Sequence, residues 1–94
     1  MNEQLIKSVL IEENYPDYML AKTIEKINNL NPLIKDAFER WVTSGENPVI
    51  CIEAYTVERL ENEYGMKPVG AFLTLDWLVR NPENAKRALQ KGYR

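Results

Sequence analysis

The sequence predicts an all-α fold, a compact bundle of five or six short helices. Three observations carry that reading. Apolar residues recur at steps of three and four along most of the chain. Prolines and glycines fall at the starts and ends of those stretches. Only one short run, 49–52, is rich in β-branched residues. With 94 residues there is room for a single helical domain over 1–94 and too little for two.

The first helix spans roughly 2–13, with Leu5, Ile6, Val9 and Leu10 on its apolar side, and Asn14, Tyr15 and Pro16 break it. The second runs from about Asp17 to Asn29: Leu20, Ile24 and Ile27 form its stripe, with Lys22, Glu25 and Lys26 outside. The third opens on Asn31-Pro32, where the asparagine can cap free N–H groups and the proline has none to leave unpaired. Ile34, Ala37, Phe38 and Trp41 face inward; Lys35, Asp36, Glu39 and Arg40 face water.

Residues 44–48 form the clearest loop. Val49–Ile52 then reads as a strand for which the chain holds no partner: a buried extended link, or an edge that pairs with another copy. Cys51, set among Val49, Ile50 and Ile52, is expected to be an inert thiol in apolar surroundings. The fourth helix, about 57–64, has Thr56 as N-cap, Val57, Leu60 and Tyr64 inward, and Gly65 as its left-handed stop. The fifth, about 68–80, is apolar on nearly every side, so it is either the central core helix or carries a second face for a partner. Trp41 and Trp77 are expected to fill the core, packed with Phe38 and Phe72. The sixth, about 82–91, opens on Asn81-Pro82, turns Ala85, Ala88 and Leu89 inward, and stops at Gly92.

Chemistry is sparse. There is no histidine and only one cysteine. That excludes imidazole acid–base work, an internal disulfide and a zinc finger. Glycines are scattered, with no phosphate-binding loop. No cofactor is expected. No apolar run approaches the length of a membrane span, and no signal peptide is expected, so the reading is a cytoplasmic protein.

Segment 56–80 resembles the outline of a helix-turn-helix, with the turn at Gly65–Lys67. Its second helix offers Val69, Gly70, Ala71, Phe72, Leu73 and Thr74, without the arginine, asparagine or glutamine that reads bases. Glu58, Glu61 and Glu63 on its first helix would repel phosphates. Charge is uneven: acids at 46, 53, 58, 61 and 63 oppose only Arg59, and bases at 80, 86, 87, 91 and 94 oppose only Glu83. The basic end suits its helix dipole, and could equally meet nucleic acid or an acidic partner. Asp76 is an acid inside the apolar fifth helix, with Arg80 one turn on.

The functional expectation is a small non-enzymatic interaction or adaptor protein, of a kind that fits accessory proteins of bacteria or their mobile elements. The alternative is a nucleic-acid-binding regulator using the 56–80 hairpin or the basic 80–94 segment. The expected partner-contact residues are Tyr55, Tyr64, Asp76, Arg80, Lys86, Arg87 and Lys91, within a set of five tyrosines (15, 18, 55, 64, 93) suited to interfaces. A homodimer is expected too, from the unpaired strand, the surplus apolar surface of the fifth helix and the opposed charged segments.

Overall fold

The computed structural model describes residues 2–92, so Tyr93 and Arg94 lie outside the described residues. Six helices follow in order: α1 (Glu3–Glu12), α2 (Asp17–Asn28), α3 (Pro32–Ser44), α4 (Val57–Tyr64), α5 (Pro68–Arg80) and α6 (Pro82–Gln90). A two-stranded hairpin, β1 (Cys51–Ile52) and β2 (Tyr55–Thr56), precedes α4. The architecture is predominantly α, with a Cα radius of gyration of 12.7 Å, near the value of about 13 Å expected for a folded chain of this length.

The helix ends follow from their residues. Asn2 and Asn31 accept N–H groups of the first turns of α1 and α3, and Thr56 accepts from Arg59 at 3.0 Å to start α4. Gly45 and Gly65 end α3 and α4 in the left-handed region, each at φ 68°. Asn14 does the same after α1, also at φ 68°. The asparagine expected to cap α6 behaves otherwise. The Asn81 side chain makes no capping bond, and its backbone carbonyl instead accepts from Ala85 at 3.0 Å.

The 49–52 run departs from expectation. Its partner strand is in the same chain: Cys51 pairs with Thr56 and Ile52 with Tyr55, antiparallel. The turn between them is Glu53-Ala54, with φ of 52° and 72°. Positive φ at both central residues is the twist a two-residue hairpin needs, usually supplied by asparagine or glycine. Here Arg59 supplies support: its Nη1 donates to the Ala54 carbonyl at 3.0 Å, and its guanidinium lies 4.3 Å from the Tyr55 ring centroid. The run is not a buried link either, since Val49 is 87% exposed. Cys51 is exposed as well, on the outward side of β1, so its expected apolar surroundings are absent.

The core centres on α5. Val69, Ala71, Phe72, Leu75 and Leu78 are buried against Ile6 and Leu10 of α1, Ile34 and Phe38 of α3, Leu60 of α4 and Leu89 of α6. Phe72 meets Phe38 edge-on at 5.1 Å between centroids, and Trp41 closes the cluster at 5.9 Å from Phe38 and 5.7 Å from Phe72. Trp41 is itself only half-buried, and Trp77 does not fill the core as expected either. It is half-buried at the core's edge and lines a surface depression.

Two long-range ties set the direction of α2 against α5. At one end the Glu13 carboxylate, just before α2, accepts from the Val69 N–H at 3.2 Å. At the other, Asp76 accepts from the Asn31 N–H at 2.8 Å, and the Arg80 guanidinium donates to the Asn29 carbonyl. The two helices therefore run parallel, starting and finishing at the same ends.

Candidate functional site

Between these parallel helices lies a trough of about 570 Å³. Met19, Thr23 and Lys26 of α2, with Tyr15 just before it, form one wall, and Gly70, Leu73, Trp77 and Arg80 form the α5 wall. The spacing explains the arrangement. Positions 19, 23 and 26 share one face of α2, as do 70, 73, 77 and 80 on α5. The α5 residues that face the core occupy the opposite side of the helix. That resolves why α5 is apolar all round: one side belongs to the core, the other to the trough. On volume alone the trough falls within the range of ligand and peptide sites, roughly 300–1,000 Å³.

Its floor is apolar, made by Leu73, Trp77 and Met19, the last 37% exposed. Gly70 widens it: a Cβ added there would meet nothing within 4 Å. Thr23, only 4% exposed, contributes to the same wall.

Asp76 and Arg80 close one end. Arg80 Nε donates to Asp76 Oδ2 at 2.7 Å, and the Asp76 carboxyl is only 16% exposed. Together they staple the α2–α3 turn to α5 through Asn29 and Asn31, so both are structural parts of the trough's end wall. Lys26 and Glu25 are the other charges lining this end, and neither has an ion-pair partner among the described residues.

The remaining expected contact residues are elsewhere. Tyr55 and Tyr64 meet at 5.9 Å between centroids, with hydroxyls 3.4 Å apart. Tyr55 is buried, and its hydroxyl pushes the Tyr64 phenol above its ordinary pKa. With Arg59 and Glu63, which pair at 3.2 Å, they brace the hairpin against α4. Lys86 pairs with Glu53 at 3.0 Å, which raises its ammonium pKa. The acidic and basic segments thus meet within one chain, between α6 and the hairpin turn. Arg87 and Lys91 are exposed on the outer side of α6. The structure therefore does not gather the seven residues onto one surface.

A second cleft, about 420 Å³, lies between Val9, Glu13, Trp41, Val42, Lys67 and Pro68. Glu13 is committed here as the cap of α5, whose own N-cap residue, Lys67, makes no side-chain capping bond and instead donates to the Glu13 carbonyl at 3.5 Å. Burial pushes the Glu13 carboxyl above its ordinary pKa, more than the Val69 N–H and Lys67 pull it down; Glu61 and Glu12 add to the rise.

Among the described residues no group of three metal-ligating side chains comes together, and no helix is long and apolar enough to cross a membrane. Comparison with protein families, with curated proteins and with solved structures returns no match.

Sequence reasoning missed the trough because it needs two helices 50 residues apart to lie parallel. The one readable signal was the surplus apolar side of α5 carried by Leu73 and Trp77.

Proposed function

We propose that this is a small protein-interaction module, cytoplasmic and non-enzymatic, whose partner seats in the α2–α5 trough. One observation carries the reading: an open apolar trough, floored by Met19, Leu73 and Trp77, runs beside the core, with Gly70 leaving space in its wall. An apolar surface left uncovered between two helices costs stability in water, and partner docking removes that cost.

Nucleic-acid binding has weaker support. Six of the thirteen residues of the helix that would enter a DNA groove are buried, Val69, Ala71 and Phe72 among them. Glu58 and Glu63 are exposed on α4 beside it, and a phosphate backbone would meet them. Self-association has also lost two of its three motives, since β1 pairs within the chain and Lys86 pairs with Glu53.

Site-specific photo-crosslinking in cells tests the reading. A benzophenone side chain at position 73 should give a discrete, protease-sensitive adduct, and the same group at position 87 should not. Adducts from 87 alone, removed by nuclease, would contradict the reading and favour the basic segment.

A further inference from the structure

The segment between α3 and α4 carries a feature independent of the trough. We infer that residues 46–54 form a strap that opens from the helical core as a unit, hinged at Gly45 and at Tyr55, and held shut by cations from three different helices.

The three catches share one design. Arg40 of α3 reaches Glu46 at 3.5 Å, Arg59 of α4 donates to the Ala54 carbonyl at 3.0 Å, and Lys86 of α6 pairs with Glu53 at 3.0 Å. Each of these cations also holds an acid of its own helix. Arg40 has Asp36 at 3.3 Å, Arg59 has Glu63 at 3.2 Å and Lys86 has Glu83 at 3.8 Å. When the strap leaves, every catch keeps a partner, so opening avoids the cost of stranding a charge. The ion pairs are also well exposed, which makes each a weak tie.

The caught end is strained. Glu53 and Ala54 both lie in the left-handed region, at φ 52° and 72°, and neither is the glycine or asparagine that tolerates it. Opening relieves that strain. Against it stand a two-residue ladder and the side chains of Ile50 and Ile52, only half-buried on the core. The alternate residues Val49 and Cys51 face water. A segment with so few buried contacts opens at lower cost than the helices around it.

The hinges follow from the residues at each end. Gly45 already has a left-handed backbone at φ 68°, with nothing within 4 Å of the position a Cβ would take. At the other end Tyr55 is buried and Thr56 caps α4 at 3.0 Å, so β2 stays with the core when β1 leaves. The open state therefore keeps all six helices and leaves β2 as an uncovered strand edge.

Native-state amide exchange of the ¹⁵N-labelled full chain in low urea tests the strap. The Ile52 and Tyr55 amides should exchange through an opening whose frequency scarcely depends on urea, while the Phe72 amide exchanges only with global unfolding. Every variant is read relative to its own Phe72 amide. Ala54→Gly removes left-handed strain and should make the opening about fivefold rarer. Lys86→Gln should make it about two- to fivefold more frequent, and Glu83→Gln, which takes away the second acid of Lys86, about twofold rarer. Hairpin amides that follow the urea dependence of Phe72 would show that the segment opens only with the core, and would overturn the strap. Opening that is unchanged or more frequent in Ala54→Gly would overturn the strained catch. The same result in Glu83→Gln would overturn the sharing of Lys86 between its two acids.

Discussion

The Asp76 carboxylate accepts the backbone N–H of Asn31 at 2.8 Å, tying the middle of α5 to the residue that starts α3. The same carboxylate holds Arg80, which in turn holds the Asn29 carbonyl at the end of α2. One acid in an apolar helix thus fixes three elements at the end of the trough.

Removing that acid should be costly. Asp76→Ala leaves the Asn31 N–H without its acceptor and frees Arg80, so a loss of about 1.5–3 kcal/mol is expected. Asp76→Asn keeps an acceptor oxygen and should lose clearly less. Urea denaturation of the three proteins at neutral pH measures both differences, and equal losses for alanine and asparagine would mean the Asn31 bond contributes nothing.

The helices themselves were legible. Asn31-Pro32, Thr56, Gly65 and Gly92 mark boundaries because capping and left-handed geometry are local properties of those residues. The Asp76–Arg80 pair was legible for the same reason, being one turn apart. The hairpin was not. Glu53-Ala54 carries no turn signature, and its positive φ angles are held by Arg59, whose approach exists only once α4 has formed. Nor could the sequence show that Glu13 caps a helix beginning more than 50 residues later. The trough needs both that tie and the Asp76 tie before it exists at all.

The Glu13 tie gives a pH signature. Its folded-state carboxyl lies above its unfolded value of 4.5, so the folded protein holds that proton more tightly. The stability this contributes is fully present below pH 4.5 and is lost as pH rises through the folded value. Glu61 acts in the same direction, for burial and Glu58 raise it too. Glu13→Gln keeps an acceptor for the Val69 N–H without the buried charge. It should therefore flatten the dependence of stability on pH above 4.5, and be no less stable than the parent at pH 7. Glu13→Ala loses the cap and should cost about 1 kcal/mol. Melting temperatures from pH 4 to 7 decide this, and a glutamine variant with the parent's full slope would contradict it.

Phe72 is 1% exposed and packs edge-on against Phe38. Phe72→Ala should cost about 3–5 kcal/mol through lost burial and the cavity left behind. Melting within a degree or two of the parent would show the ring to be peripheral.

Two glycines should respond with opposite sign. Gly65 sits at φ 68°, so Gly65→Ala is strained and should lose about 1 kcal/mol. Gly70 has helical backbone and open space, so Gly70→Ala should gain about 0.5–1 kcal/mol. Thermal denaturation of the pair checks both. A destabilised Gly70→Ala protein would show that position 70 is needed by the fold and not by access to the trough.

The central claim is that partners seat between α2 and α5. The most direct measurement uses a random 16-residue peptide library selected on the immobilised full chain. Enriched peptides are then rescreened on Gly70→Trp, which fills the trough from a position with nothing within 4 Å, and on the double variant Arg87→Glu, Lys91→Glu. Circular dichroism confirms that each variant is folded. The account predicts binding abolished by Gly70→Trp and kept by the charge-reversed variant. Peptides that ignore the filled trough and are lost with the basic face of α6 would contradict it.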